Sequence, residues 1–162
     1  MEHLPVLAEL GVGFAGFTAI FLIFARRDDR FEPHDGLRIQ AIFTASFMAL
    51  FMSVLPLVLS ESDIPESEIW RYCSGFGALV TLGIYAHISV DQFRLPSESR
   101  KKIGLTNTLV AHPLGIGIIL CLGSIVLNLD WARSSMLYLL SIVFLLGIAT
   151  SNFVALAMQK LR

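Results

Sequence analysis

The sequence predicts an all-α fold: one integral membrane bundle of five transmembrane helices, with the N-terminus outside and the C-terminus inside. Three observations predict it. Mean hydropathy is +0.71 and 55% of the residues are hydrophobic, too apolar for a water-soluble domain of 162 residues. Five apolar runs, at about 4–25, 37–59, 69–90, 105–129 and 136–158, each reach across the ~30 Å hydrocarbon core at 1.5 Å per helical residue. Finally, Lys and Arg are unevenly shared. Of 12, ten fall in the first loop, the third loop or the tail: Arg26, Arg27, Arg30, Arg38, Arg94, Arg100, Lys101, Lys102, Lys160 and Arg162. Only Arg71 and Arg133 fall on the other side, so the positive-inside rule puts the basic loops in the cytoplasm.

Segment one, LPVLAELGVGFAGFTAIFLIF, carries one charge in 21 residues. On a helix, Glu9, Gly13, Gly16 and Ala19 form a small, polar stripe, and Phe14, Phe17, Phe21 and Phe24 form a second face. Small residues let helices approach closely in lipid, so the glycine stripe is expected to face inward and to carry Glu9 with it. The segment is longer than the apolar core of a secretory signal and lacks basic residues before it, so it is expected to stay as a helix.

The charged loop ARRDDRFEPHDGLR follows, with Pro33 and Gly36 as breakers. In segment two, Ser46, Ala49, Ser53 and Pro56 share one stripe while Phe43, Phe47 and Phe51 share another. Pro56 has no backbone N–H and leaves the carbonyl of Met52 without its helical donor. After the acidic connection SESDIPESE, segment three opens with Trp70 and Tyr72, rings that suit a membrane interface. DQFRLPSESRKKIG is the second basic loop. Segment four carries His112, Pro113, Gly115, Gly117 and Gly123, with Gly115 and Gly117 expected to pack helices. A turn with Trp131 at the interface leads to segment five. No connection is long enough for a second domain. Cys73 and Cys121 lie in apolar runs and are expected to be buried thiols without a disulfide.

Ionisable groups inside a membrane are costly and point to function by default. Glu9 lies roughly 7 Å inside the outer boundary by helical rise, where a carboxylate must be paired or neutral. His87 and Asp91 are four apart, on one helix face, so the carboxylate can orient the imidazole. His112 stands beside the break at Pro113, which leaves the carbonyl of Leu109 free, and a polar residue beside a break suits a cavity lining. Asn152 belongs at a similar depth to His87 and His112, and the three form a polar cluster if their faces converge.

The chain lacks a phosphate-binding glycine loop, an H-E-x-x-H pair, a nucleophile elbow and a four-ligand Cys/His spacing. It also lacks a voltage-sensor helix and a potassium-type filter. No catalytic residue, cofactor or metal site is expected, and a net charge of −1 gives no nucleic-acid footprint.

The stretches AELGVGFAGFTAIF, LRIQAIF with LPLVL, IWRYCSGF and SNFVALAM resemble those of small bacterial inner-membrane proteins of no assigned activity. That resemblance implies the topology and a bacterial inner membrane, and it brings no activity with it. Two classes of function are expected to compete. One is a homo-oligomeric channel or transport protein for ions or protons, with Glu9, His87, Asp91, His112 and Asn152 along its path. The other is a non-catalytic accessory or assembly subunit of a membrane complex, whose glycine stripes dock partner helices. An integral membrane enzyme ranks behind both. The middle of segments two, four and five (ALFM, IGIILC, IVFLL) is apolar, which weighs against a continuously wet pore.

Overall fold

A computed structural model describes residues 3–25, 33–99, 107–129 and 134–160, and no strand occurs among them. The elements are α1 (Leu4–Ala25), α2 (Pro33–Leu59), α3 (Glu66–Arg94), a π-helical turn (Asn107–Ala111) leading into α4 (His112–Val126), and α5 (Ser134–Lys160). Four spans are long and apolar enough to cross a membrane: His34–Leu59, Glu66–Arg94, Leu109–Val126 and Ser135–Met158. They mark a multi-pass membrane protein. Large apolar side chains such as Phe17, Ile23, Phe51, Leu79, Phe93 and Leu120 point outward, as lipid requires.

Helices α2, α3, α4 and α5 form a ring in which each packs against the next and α5 closes onto α2, every neighbour antiparallel. Helix α1 stands outside the ring, against α2 and the edge of α5. The small-residue stripe of α2 faces inward, with Ser46, Ala49, Ser53 and Pro56 all buried, while Phe47 and Phe51 are exposed. In α1 the inward stripe is a different one from that expected. Gly11, Ala15 and Thr18 are buried, and a Cβ on Gly11 would lie 2.9 Å from the carbonyl oxygen of Ser46. Glu9, Gly16 and Ala19 are exposed, and a Cβ on Gly13 or Gly16 would meet nothing within 4 Å. The reason is that α1 carries small residues on two faces, and their spacing fits close packing on either.

The helix ends follow local chemistry. Pro33 starts α2, four residues before the expected start, because a proline in the first turn forfeits no hydrogen bond. Arg38, read as a loop cation, is thereby one turn inside the helix and 6% exposed. Of the ten basic residues expected on its side, eight lie outside the apolar spans, Arg94 being the last residue of another. Helix α4 stops at Asn128, whose φ of 50° puts it in the left-handed region. Its N–H reaches the Ile125 carbonyl (3.0 Å) and that of Leu129 reaches Ser124 (3.2 Å), capping the last carbonyls. Among the expected features, the cations at 26, 27, 30, 100–102, 133 and 162, the backbone around Trp131, and the side chains of Phe21 and Phe24 lie outside the described residues.

One half of the ring is closed by packing. Trp70 and Tyr138 stack at 5.3 Å between ring centres, beside buried Ile69, Cys73 and Met52. The carbonyl of Met52, freed by Pro56, accepts a hydrogen bond of 2.8 Å from the hydroxyl of Tyr138 on α5. This break is therefore satisfied within the bundle and offers no ligand to an ion. Cys73 and Cys121 are free thiols.

Candidate functional site

The other half of the ring holds a cavity of about 90 Å³, room for several water molecules. It lies between the first half of α2, the second half of α3, the start of α4 and the middle of α5, toward the end of the bundle to which the basic connections attach. Apolar residues such as Met48, Ile84, Ile118 and Leu145 make most of its wall. Polar side chains enter from all four helices: Arg38 and Thr44 from α2, Thr81, Tyr85, Ser89 and Gln92 from α3, His112 from α4, and Asn152 from α5. Thr81, Tyr85, Ser89 and Gln92 recur at steps of four, four and three, so α3 presents one polar stripe over roughly 16 Å of rise. One turn beyond Thr81 the stripe ends at Gly77. A Cβ there would lie 3.1 Å from Met52 Cε and 3.3 Å from Leu122 Cδ1, so these two side chains pack around the glycine beyond the cavity.

His112 and Tyr85 meet across the α3–α4 contact. The Tyr85 hydroxyl and His112 Nδ1 are hydrogen bonded, with the rings edge to face at 5.5 Å between centres. Two sequence features allow it. The π-helical turn just before His112 widens the backbone where Pro113 cannot donate to Leu109. Gly115 leaves space for the phenol, since a Cβ there would be 3.1 Å from Tyr85 Cε2. Gly117 makes the corresponding space for Phe144 of α5, with 2.8 Å from a Cβ to the ring.

Asn152 is 2% exposed and lines the same cavity, donating its amide to the Ile148 carbonyl of its own helix at 2.9 Å. Arg38 reaches across to α5, with Nη1 at 3.5 Å from the Ala155 carbonyl, and Asp35, one turn back, is its charge partner. A cation near the last carbonyls of a helix is favourably placed. His34 and Asp35 are fully buried beside it, with Nε2 at 3.6 Å from Oδ1.

The expected cluster is thus half present. His112 and Asn152 share the cavity, whereas His87 points away from it. His87 is 66% exposed and its Nε2 is 3.4 Å from Asp91 Oδ2, while Arg94 approaches the same carboxylate at 3.8 Å. Glu9 is on the outward face of α1 and joins none of these groups. Arg38, Tyr85, Thr81 and Gln92 went unrecognised in the sequence. The step-four polar recurrence on α3 was the available signal for three of them. Among the described residues no three of His, Cys, Asp and Glu come together as metal ligands would.

Fold and site together define a class: a multi-pass helical membrane protein with a mainly apolar cavity, entered by polar side chains of four helices, in one half of its bundle. In comparisons with protein-family models, curated proteins and solved structures, nothing matched this chain.

Proposed function

We propose that this chain is a transport-type protein of a bacterial inner membrane, crossing it five times with the N-terminus outside. Its cavity is a vestibule entered from the cytoplasm. The observation that carries this reading is a cavity in one half of the ring, with polar side chains of four helices in its lining and Met52 and Leu122 packed around Gly77 beyond it. Such packing argues for a carrier or half-channel over a standing pore, since a pore needs a continuous wet or wettable path. The excess of Lys and Arg in the connections at the cavity's end of the bundle supports the orientation.

The test is thiol accessibility in a chain with Cys73 and Cys121 replaced by Ala. Thr44→Cys and Ser89→Cys are expected to react with a charged, membrane-impermeant reagent in inside-out vesicles and not in intact cells. Leu122→Cys is expected to react in neither. Absence of labelling from the cytoplasmic side, or equal labelling from both sides, refutes the vestibule.

A second reading, docking on another membrane helix as a homo-oligomer or an accessory subunit, is favoured by one observation. A Cβ on Gly13 or Gly16 of α1, beside exposed Glu9, would meet nothing within 4 Å among the described residues. Native mass in lipid nanodiscs checks the homo-oligomer form, which a monomeric mass rules out.

A further inference from the structure

In a helix, a buried hydroxyl commonly satisfies itself on the carbonyl one turn back. Thr18, Ser53, Ser124, Ser141, Thr150 and Ser151 all do so here. Thr81 does not. It is 7% exposed, lines the cavity, and its Oγ1 has no hydrogen-bond partner. A buried hydroxyl left in this state calls for a polar occupant, and the cavity has room for water. One turn further along α3 the same wall holds the Tyr85–His112 pair.

We propose that Tyr85 and His112 form a neutral proton relay that exchanges protons with water held in the cavity at Thr81. This rests on the reading of the cavity as a transport vestibule and names the proton as the species handled. The hydrogen bond between the Tyr85 hydroxyl and His112 Nδ1 has two forms. In one, the Tyr85 O–H donates to Nδ1 and the imidazole carries its proton on Nε2. In the other, Nδ1–H donates to the Tyr85 oxygen, the phenol O–H points elsewhere, and Nε2 is bare. Passing between them takes one concerted shift. A hydronium-forming cavity water gives a proton to the Tyr85 oxygen, the phenol's own proton moves to Nδ1, and the Nε2 proton passes to a second water; the reverse shift restores the first form. One proton enters, one leaves, and both end states are uncharged. Neutrality matters because a charged intermediate at membrane depth is costly.

The surroundings suit a neutral pair. From α2 the ionisable group in the cavity wall is Arg38, and buried beside it are its charge partner Asp35 and His34, which lies 3.6 Å from the Asp35 carboxylate. From α5 the facing polar group is Asn152, which does not titrate, and on α3 the ionisable His87 and Asp91 are paired with each other away from the cavity. Gly115 and the π-helical turn fix the geometry from the α4 side.

The experiment uses the full chain in liposomes loaded with a pH-sensitive dye, with an inward-driving potential set by a potassium gradient and an ionophore. Wild-type protein is expected to acidify the lumen. Tyr85→Phe and His112→Gln are each expected to slow this by about a hundredfold, the low end for a positioned acid–base group. His87→Gln is expected to leave it unchanged. Nitrogen-15 histidine spectra of the same samples read the pair directly. His112 is expected to populate both tautomers in the wild type and to collapse to one in Tyr85→Phe. The proposal is overturned if wild-type liposomes acidify no faster than protein-free ones, or if Tyr85→Phe keeps the wild-type rate and the wild-type His112 spectrum. Thiol labelling at Thr44→Cys and Ser89→Cys separates the two ideas. With labelling intact and uptake absent, the relay falls and the vestibule stands; with labelling lost, both fall.

Discussion

Substituting Gly11 by Ala tests which face of α1 is packed. The added Cβ would lie 2.9 Å from the Ser46 oxygen and 3.2 Å from the Leu50 nitrogen. Both are backbone atoms of α2 and cannot rotate away, so the two helices must separate by about half an ångström, enough to forfeit roughly a quarter of the dispersion well at each contact. Overpacking of this kind costs about 1–3 kcal/mol. Alanine's better helix propensity returns about 0.5–1 kcal/mol. The net expectation is a loss of about 1–2 kcal/mol, and in lipid no hydrophobic gain between helices offsets it. Gly13→Ala and Gly16→Ala meet no neighbour within 4 Å. They keep only the propensity gain and are expected to be neutral or stabilising by about 0.5–1 kcal/mol. The assay is reversible unfolding of each variant in mixed micelles with rising denaturing detergent, followed by circular dichroism. If Gly11→Ala is as stable as Gly16→Ala, the assigned packing face of α1 is wrong.

Tyr138→Phe strands the buried Met52 carbonyl and is expected to cost about 1–3 kcal/mol in the same assay. In a Pro56→Ala background residue 56 regains an N–H for that carbonyl, so the loss is expected to shrink; strictly additive effects refute the shared-carbonyl account. Gly115→Ala sets a methyl 3.1 Å from the Tyr85 ring. It is expected to part the phenol from His112, changing the His112 nitrogen spectrum, while Gly123→Ala, with nothing within 4 Å, is silent. Unchanged His112 signals in Gly115→Ala would show that the glycine does not position the pair.

Much of the architecture was legible because lipid imposes it. A helix must satisfy its own backbone in hydrocarbon, so apolar length alone located the spans to within a few residues at most ends. Facing was harder. On α2 the small and aromatic residues separate cleanly, and the inward stripe of Ser46, Ala49, Ser53 and Pro56 is readable. On α1 small residues occupy two faces, and only the partner backbone at Ser46 and Leu50 decides between them. The site was half legible for a related reason. His112 announced itself through the adjacent Pro113, and Asn152 as a lone amide in an apolar run. Tyr85, the partner of His112, looks like an ordinary aromatic residue until the crossing of α3 and α4 brings its hydroxyl to Nδ1. Arg38 was hidden by one turn of helix: a proline that reads as a loop breaker is also the residue best suited to begin a helix.

The two intrahelical prolines explain why the halves of the bundle differ. Each removes one backbone donor, so each must be answered somewhere. At Pro56 the answer comes from another helix: Tyr138 donates to Met52, ties α5 to α2, and packs its ring on Trp70. That half is sealed by the repair. At Pro113 the answer is local: the backbone before it widens into a π-helical turn, and the residue at the junction, His112, turns to Tyr85 at the cavity wall. That half keeps its space. A break repaired by a tertiary hydrogen bond consumes the room around it, whereas a break absorbed by the backbone leaves room and aims a side chain into it. On this argument the space beside Pro113 and the tight packing beside Pro56 both follow from the sequence, and Met52 and Leu122, packed around Gly77 between them, stand where a passage through the bundle would have to open.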